Sequence, residues 1–362
     1  MIRDYEKRFM SQPHLSGLHR LWKGRLKHLF FCLSLFFLYL SLFSCASTFK
    51  ASIDTSARGK ILWPGPPENP KIRYLWSLSL LGEERSLADV FFGEEDVFDP
   101  VNARSLRTPT GIYKDNDRLY VVDPGAFRVS VINLKTLETF HLYRLNNRER
   151  LLYPVSVVSD GSGNIYVADS KRGRVYLFDQ RGDYMKSLDI DFRRPVGLAF
   201  EQGYLFVSDS SRHCIYRINR MDGSVFIFGK NGTANGEFNY PTFITAKNGM
   251  LYVVDSMNNR IQVFDINGNF ITTFGNIGNT YADIEKPKGI AVDSMGDIYV
   301  VDAIQDTVKI FDLSGNILLF FGEKGRGYGE FWLPSGIFID KDDTIYVADT
   351  YNSRVQVFEL IK

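Results

Sequence analysis

Between residues 119 and 359 the chain writes one hydrophobic pattern six times. In residues 251–265, LYVVDSMNNRIQVFD, an apolar run closes on Asp255. A short polar loop and Arg260 follow, then a second apolar run closes on Asp265. The runs are four to six residues long, β-branched and aromatic, and bounded by Gly, Asp and Asn. That pattern predicts strand, loop, strand and excludes amphipathic helices.

Each unit opens on a proline: Pro109, Pro154, Pro195, Pro241, Pro287 and Pro334. Each second run closes on an aspartate: Asp123, Asp169, Asp209, Asp255, Asp302 and Asp349. The prolines recur every 41 to 47 residues, the length of a four-stranded propeller blade. Unit five shows the four strands. Strand A is 289–292 and strand B is 298–301, apolar on both faces. Strand C is 308–311 and strand D is 317–321. The fold expected is all-β, a six-bladed β-propeller of four-stranded antiparallel blades over residues 71–362. The last unit lacks a strand D. The apolar run 71–79 is expected to complete that blade and close the ring, which removes an exposed edge.

These residues carry a resemblance. Pro-x-Gly-Ile, then Ile-Tyr-Val-Ala-Asp, then Asn-x-Arg-Val-Gln-Val-Phe is similar to the NHL repeat, best in residues 334–358 with Asn352, Arg354 and Val355. The resemblance covers residues 70–362 and implies six blades and, for most members, binding of proteins, RNA or small ligands. The chain departs from it in the Arg five residues after the Asp. Arg128, Arg174, Arg260 and Arg354 keep it, whereas Cys214 and Thr307 replace it. The Asp and Arg columns are expected to be scaffold, with each carboxylate accepting from nearby N–H groups or pairing with its Arg. The drift in units one to three marks them as the place where a ligand site was tailored.

The amino terminus is a separate matter. Residues 29–43 are uncharged and apolar, follow a basic flank, and precede Ser44 and Cys45. Fifteen residues suit a signal sequence better than a span of ~20. The stretch 42–45 looks like a bacterial lipobox, which implies cleavage, acylation of Cys45 and attachment to the membrane by lipid. Residues 1–44 are expected as signal, with Met1 or Met10 as the start. Residues 45–70 are expected as lipid tether and Pro-rich linker. Ala46 after the cysteine resembles an outer-membrane sorting signal. The expected location is the cell envelope, facing the periplasm or exterior.

The net charge is +1, but residues 1–44 hold seven basic and two acidic residues, leaving a body with 36 basic and 40 acidic. An acidic body argues against a nucleic-acid partner. Beyond residue 44 the histidines are His141 and His213 and the cysteines Cys45 and Cys214. No zinc spacing occurs among them, and no cofactor is expected. Arg148, Arg172, Arg194, Arg212 and His213 fall in loops of one face, with Arg144, Arg150, Lys171 and Arg193 nearby. They predict a site for an anionic ligand or protein, bordered by the acidic insertion 83–107. The leading expectation is a monomeric binding or scaffolding propeller with no catalytic residues. The alternative is a lactonase-like, metal-assisted hydrolase or lyase with carboxylate ligands suited to Ca2+.

Overall fold

A computed structural model describes residues 49–81, 105–146, 148–275 and 283–362, which form one compact unit beginning at Phe49. Its amino-terminal strands are β1 (Phe49–Asp54), β2 (Leu62–Trp63) and β3 (Ile72–Leu81). Unit one supplies β4 (Gly111–Asp115), β5 (Arg118–Asp123), β6 (Arg128–Asn133) and β7 (Glu138–Leu142). Unit two supplies β8 (Pro154–Ser159), β9 (Ile165–Asp169), β10 (Arg174–Phe178) and β11 (Tyr184–Ser187). Unit three supplies β12 (Pro195–Glu201), β13 (Tyr204–Asp209), β14 (Cys214–Asn219) and β15 (Val225–Phe228). Unit four supplies β16 (Pro241–Lys247), β17 (Met250–Asp255), β18 (Arg260–Asp265) and β19 (Phe270–Phe274). Unit five supplies β20 (Pro287–Val292), β21 (Ile298–Asp302), β22 (Thr307–Phe311) and β23 (Ile317–Phe321). A short parallel pair, β24 (Glu323–Lys324) and β25 (Glu330–Phe331), precedes unit six, which supplies β26 (Ile337–Ile339), β27 (Thr344–Asp349) and β28 (Arg354–Leu360).

Units two to five are each a four-stranded antiparallel sheet in chain order. The second strand of each unit is buried on both faces because consecutive sheets pack against it. In β17, Leu251 and Val253 join a core shared with unit three, while Tyr252 and Val254 join one shared with unit five. In β5, Leu119 and Val121 pack toward unit six, and Tyr120 and Val122 toward unit two. Burying each such side chain is worth about 1.5–3 kcal/mol, which accounts for the unbroken apolar runs.

The innermost strands also touch: β4 meets β8, β8 meets β12, β12 meets β16, β16 meets β20, β20 meets β26, and β26 meets β4. In the units that carry glycine after Pro-x, backbones come so close that a β-carbon there would collide. A β-carbon at Gly336 would stand 2.2 Å from the Thr110 carbonyl oxygen, and one at Gly197 2.4 Å from that of Thr242.

Two findings concern the amino-terminal strands. β3 pairs antiparallel with β28, Val355 opposite Leu78 and Leu360 opposite Ile72. From Phe49 onward, however, the expected tether contributes strands to the fold. β1 lies between β3 and β7, pairing with both, and β2 pairs with β3. The sheets of units six and one thereby form a single ten-stranded sheet. The reason is a period-two pattern that the polar composition of residues 45–60 hides. Ala51 is buried and Ile53 packs on the same core, while Lys50 faces solvent. The acidic insertion, apart from Ser105, Leu106 and Arg107, lies outside the described residues, as do Cys45 and the signal. No described helix is long and apolar enough to cross a membrane.

Candidate ligand site at the mouth of the central cavity

The six aspartates end the second strands and are all fully buried. Each accepts backbone N–H groups from the loop entering its own unit. Asp123 takes those of Arg107 and Thr108 at 2.8 and 2.9 Å, and Asp302 those of Glu285 and Lys286 at 2.8 and 3.1 Å. In units four and six the Arg column adds a charged clamp: Arg260 Nε donates to Asp255 and Arg354 Nε to Asp349, both at 2.8 Å. The other two arginines behave differently. Arg128 is buried and donates to the Ser105 carbonyl at 3.2 Å, and Arg174 is exposed beside an outer pocket. In unit five, where Thr307 replaces Arg, Lys309 Nζ lies 3.2 Å from Asp302.

The five loop residues expected to gather do not do so. Arg172 donates to the Arg150 carbonyl and stands 3.5 Å from Glu149, at that same outer pocket. Arg212 pairs with Asp191 at 2.5 Å and reaches Asp209 at 3.8 Å. Arg148 is exposed in a turn built on Asn146. His213 occupies a left-handed position, φ 54°, shared in register by Phe127, Gly173, Asn259, Asp306 and Ser353. Its Nδ1 accepts the Tyr240 N–H at 3.2 Å, and its Nε2 lies 3.1 Å from Asn231. Both ring nitrogens are thus occupied. Cys214 is buried, and desolvation pushes its thiol up to about 11, the opposite of activation.

Arg194 alone of the five reaches the central mouth. There a cavity of about 520 Å³ opens among the loops before the prolines of units two to five and after the aspartates of units one to four, within the usual range for small-ligand sites. The residue after each proline lines it: Thr110, Val155, Val196, Thr242, Lys288 and Ser335. Five of these are short and neutral; Lys288 stands out. Arg194, Lys286 and Lys288 are the cations of the lining, and no Asp or Glu among the described residues lines it. Burial, then the charges of Lys286 and Arg194, lower the Lys288 pKa. Tyr153, Tyr240 and Met257 form exposed apolar parts of the rim. Thr110 Oγ1 and Thr242 Oγ1 are buried beside it without a hydrogen-bond partner among the described residues.

A second cavity, of about 670 Å³, opens at the far end of the inner strands, and Phe243 is the residue common to both linings. Phe243 fills the slot that is Gly111, Gly197, Gly289 or Gly336 in four units and Ser156 in unit two. Sequence reading missed Lys286, Lys288 and Phe243 because it compared units by their B–C hairpins. The signal lay in three columns, the residue before each proline and the first and second after it.

The Teneurin NHL domain family model matches residues 144–330, more than half of the chain, and the NHL repeat model matches residues 331–358. The chain belongs to the Teneurin NHL domain family of NHL-repeat β-propellers. Among curated relatives, RING finger protein nhl-1 of Caenorhabditis elegans is 34% identical over 70 residues, 19% of this chain and 7% of that protein. The propeller thus matches a small part of that relative's length. Among solved structures, a streptogramin B lyase aligns with TM-score 0.54 at 14% identity, covering 70% of this chain and 94% of its own. An auxiliary nutrient binding protein from Bacteroides thetaiotaomicron aligns with TM-score 0.57 at 12% identity, covering 72% and 71%. At such identities the likeness is one of fold. Among the described residues of this NHL propeller, no group of three His, Cys, Asp or Glu is gathered as a metal would require.

Proposed function

We propose that this NHL propeller is a lipid-anchored, extracytoplasmic binding module whose central mouth holds an anionic ligand or the acidic face of a partner. The observation that carries the reading is the convergence of Arg194, Lys286 and Lys288 on one concave site with no carboxylate among the described residues of its lining. Cations held together and partly desolvated repel one another, and a bound anion relieves that cost. A six-bladed ring closed by β3 completing the last blade frames the site in this reading. The unbroken succession of inner-strand contacts and the pairing of β3 with β28 support it. Binding is favoured over metal-assisted hydrolysis because the repeat carboxylates are already occupied by N–H groups, guanidinium or ammonium. The nutrient-binding neighbour is consistent with such a role.

The test is thermal denaturation of the purified protein with phosphate, citrate or chloride. A ligand present at 100 times its dissociation constant stabilises by about 2.7 kcal/mol. Phosphate or citrate should raise the melting temperature of the wild type but not of the Lys286→Ala, Lys288→Ala double variant. Equal shifts in both proteins reject the mouth as the site. Anchoring through Cys45, with the outer membrane favoured by Ala46 in a diderm host, is tested by mass spectrometry of the mature amino terminus. An intact Met1 or Met10 rejects it.

A further inference from the structure

We propose that the mouth selects amphipathic anions: a phosphate, carboxylate or sulfonate carried on an apolar body of about the size of one aromatic ring. The inference rests on the mouth being a ligand site and adds what that ligand must look like.

Three features carry it. First, the mouth and the far cavity share one lining residue, and it is aromatic. Phe243 stands between the two cavities, at a slot that is glycine or serine in the other five units. An aromatic side chain at that slot gives the mouth an apolar floor. Second, the cations come from units three and five, while the apolar groups Phe243 and Met257 come from unit four between them. Tyr240 of unit four and Tyr153 of unit two add aromatic rim. An inorganic anion engages the cations and leaves this apolar surface wet. An anion with an attached ring covers both, and apolar burial is what distinguishes the two ligands. Third, Thr110 and Thr242 line the same cavity, and their hydroxyl oxygens are buried with no partner among the described residues, so that a χ1 rotation would turn each toward a ligand. They are short-range groups suited to the oxygens of the anionic head, because buried polar atoms are ordinarily paired.

Isothermal titration of the full chain in detergent with phenyl phosphate, inorganic phosphate and phenol tests this. Phenyl phosphate should bind about tenfold or more tighter than inorganic phosphate. Phe243→Gly restores the residue that four other units carry and opens the floor. It should bring phenyl phosphate down to the level of phosphate while leaving phosphate unchanged. Phe243→Leu, which keeps an apolar floor, guards against a folding defect and should retain most of the gain. Lys286→Ala with Lys288→Ala should weaken both anions about tenfold. If the lysine variants act but the ring confers no gain, or Phe243→Gly leaves the gain intact, the amphipathic inference falls and the anion site stands. If no probe binds, or the lysine variants change nothing, both fall.

Discussion

Units four and three end their second strands on the same buried aspartate and hold it in different ways. Asp255 accepts from the side chains of Asn258, Arg260 and Gln262 at 2.8 to 3.2 Å, besides the Asn239 N–H. Asp209 accepts from three backbone N–H groups, those of Arg193, Arg194 and Arg212, at 2.6 to 3.1 Å. Unit six repeats the first solution and unit two the second. The carboxylate is satisfied in each case. Loss of Arg at Cys214 is therefore repaired locally, by backbone and by Arg212 from two residues earlier. It is no sign that a ligand took over the loop. The difference teaches that drift in a repeat has to be read column by column.

The comparison can be broken or sharpened at five residues. The largest effect is expected in unit five, where one lysine supplies the charge that Thr307 lacks. Lys309→Met leaves Asp302 buried beside no cation and should cost about 3–5 kcal/mol, read from urea unfolding. A loss below about 1 kcal/mol would mean the lysine is incidental. Next, Asp255→Asn should cost about 3 kcal/mol, because Arg260 loses its counter-charge in a mostly buried site. Asp209→Asn should cost less, about 1–2 kcal/mol, since the amide oxygen still accepts from Arg194 and Arg212 and only the Arg193 N–H loses its acceptor. Equal losses would erase the distinction between the two kinds of unit.

Unit one sharpens it through pH. There Arg128 is buried, and burial together with its charge pushes His141 down to about 3. The folded protein then holds His141 neutral while the unfolded chain protonates near 6.5. Stability is fully present above that value and is lost as pH falls from about 6.5 toward 3, by roughly 1.4 kcal/mol per unit. His141→Phe should remove that share of the slope in denaturation measured between pH 4 and 7. The smallest effect is expected from Arg172→Ala, which breaks a partly exposed pair with Glu149 and should cost less than about 1 kcal/mol.

How much of this was legible follows from the same physics. Strands β17 and β21 announce themselves because a strand packed on both faces must be apolar at nearly every position. β1 does not, because half its residues, Lys50, Ser52 and Asp54, face away from the core. Its alternation is short enough to pass for a polar linker. The basic loops of units one to three were legible as charge but not as geometry. Arg172 and Arg212 turn to local carboxylates and carbonyls, contacts that spacing does not encode. Lys288 and Phe243 sit in well-kept units, and only alignment of the inner strands exposes them as outliers.

The seam where β1 lies between β3 and β7 bears on how the chain reaches its native state. β3 is synthesised early, yet its partner along 72–78 is β28, residues 354–360. That edge stays open until nearly the whole chain exists. Pairings so distant in sequence close slowly, because loop entropy is lost before contacts compensate it. Meanwhile an apolar strand is exposed to other nascent chains. Once β1 is in place, unzipping either neighbour requires displacing a strand bonded to both. Late assembly and slow escape are the expected result, so substitutions at the seam should change the unfolding rate more than the equilibrium stability.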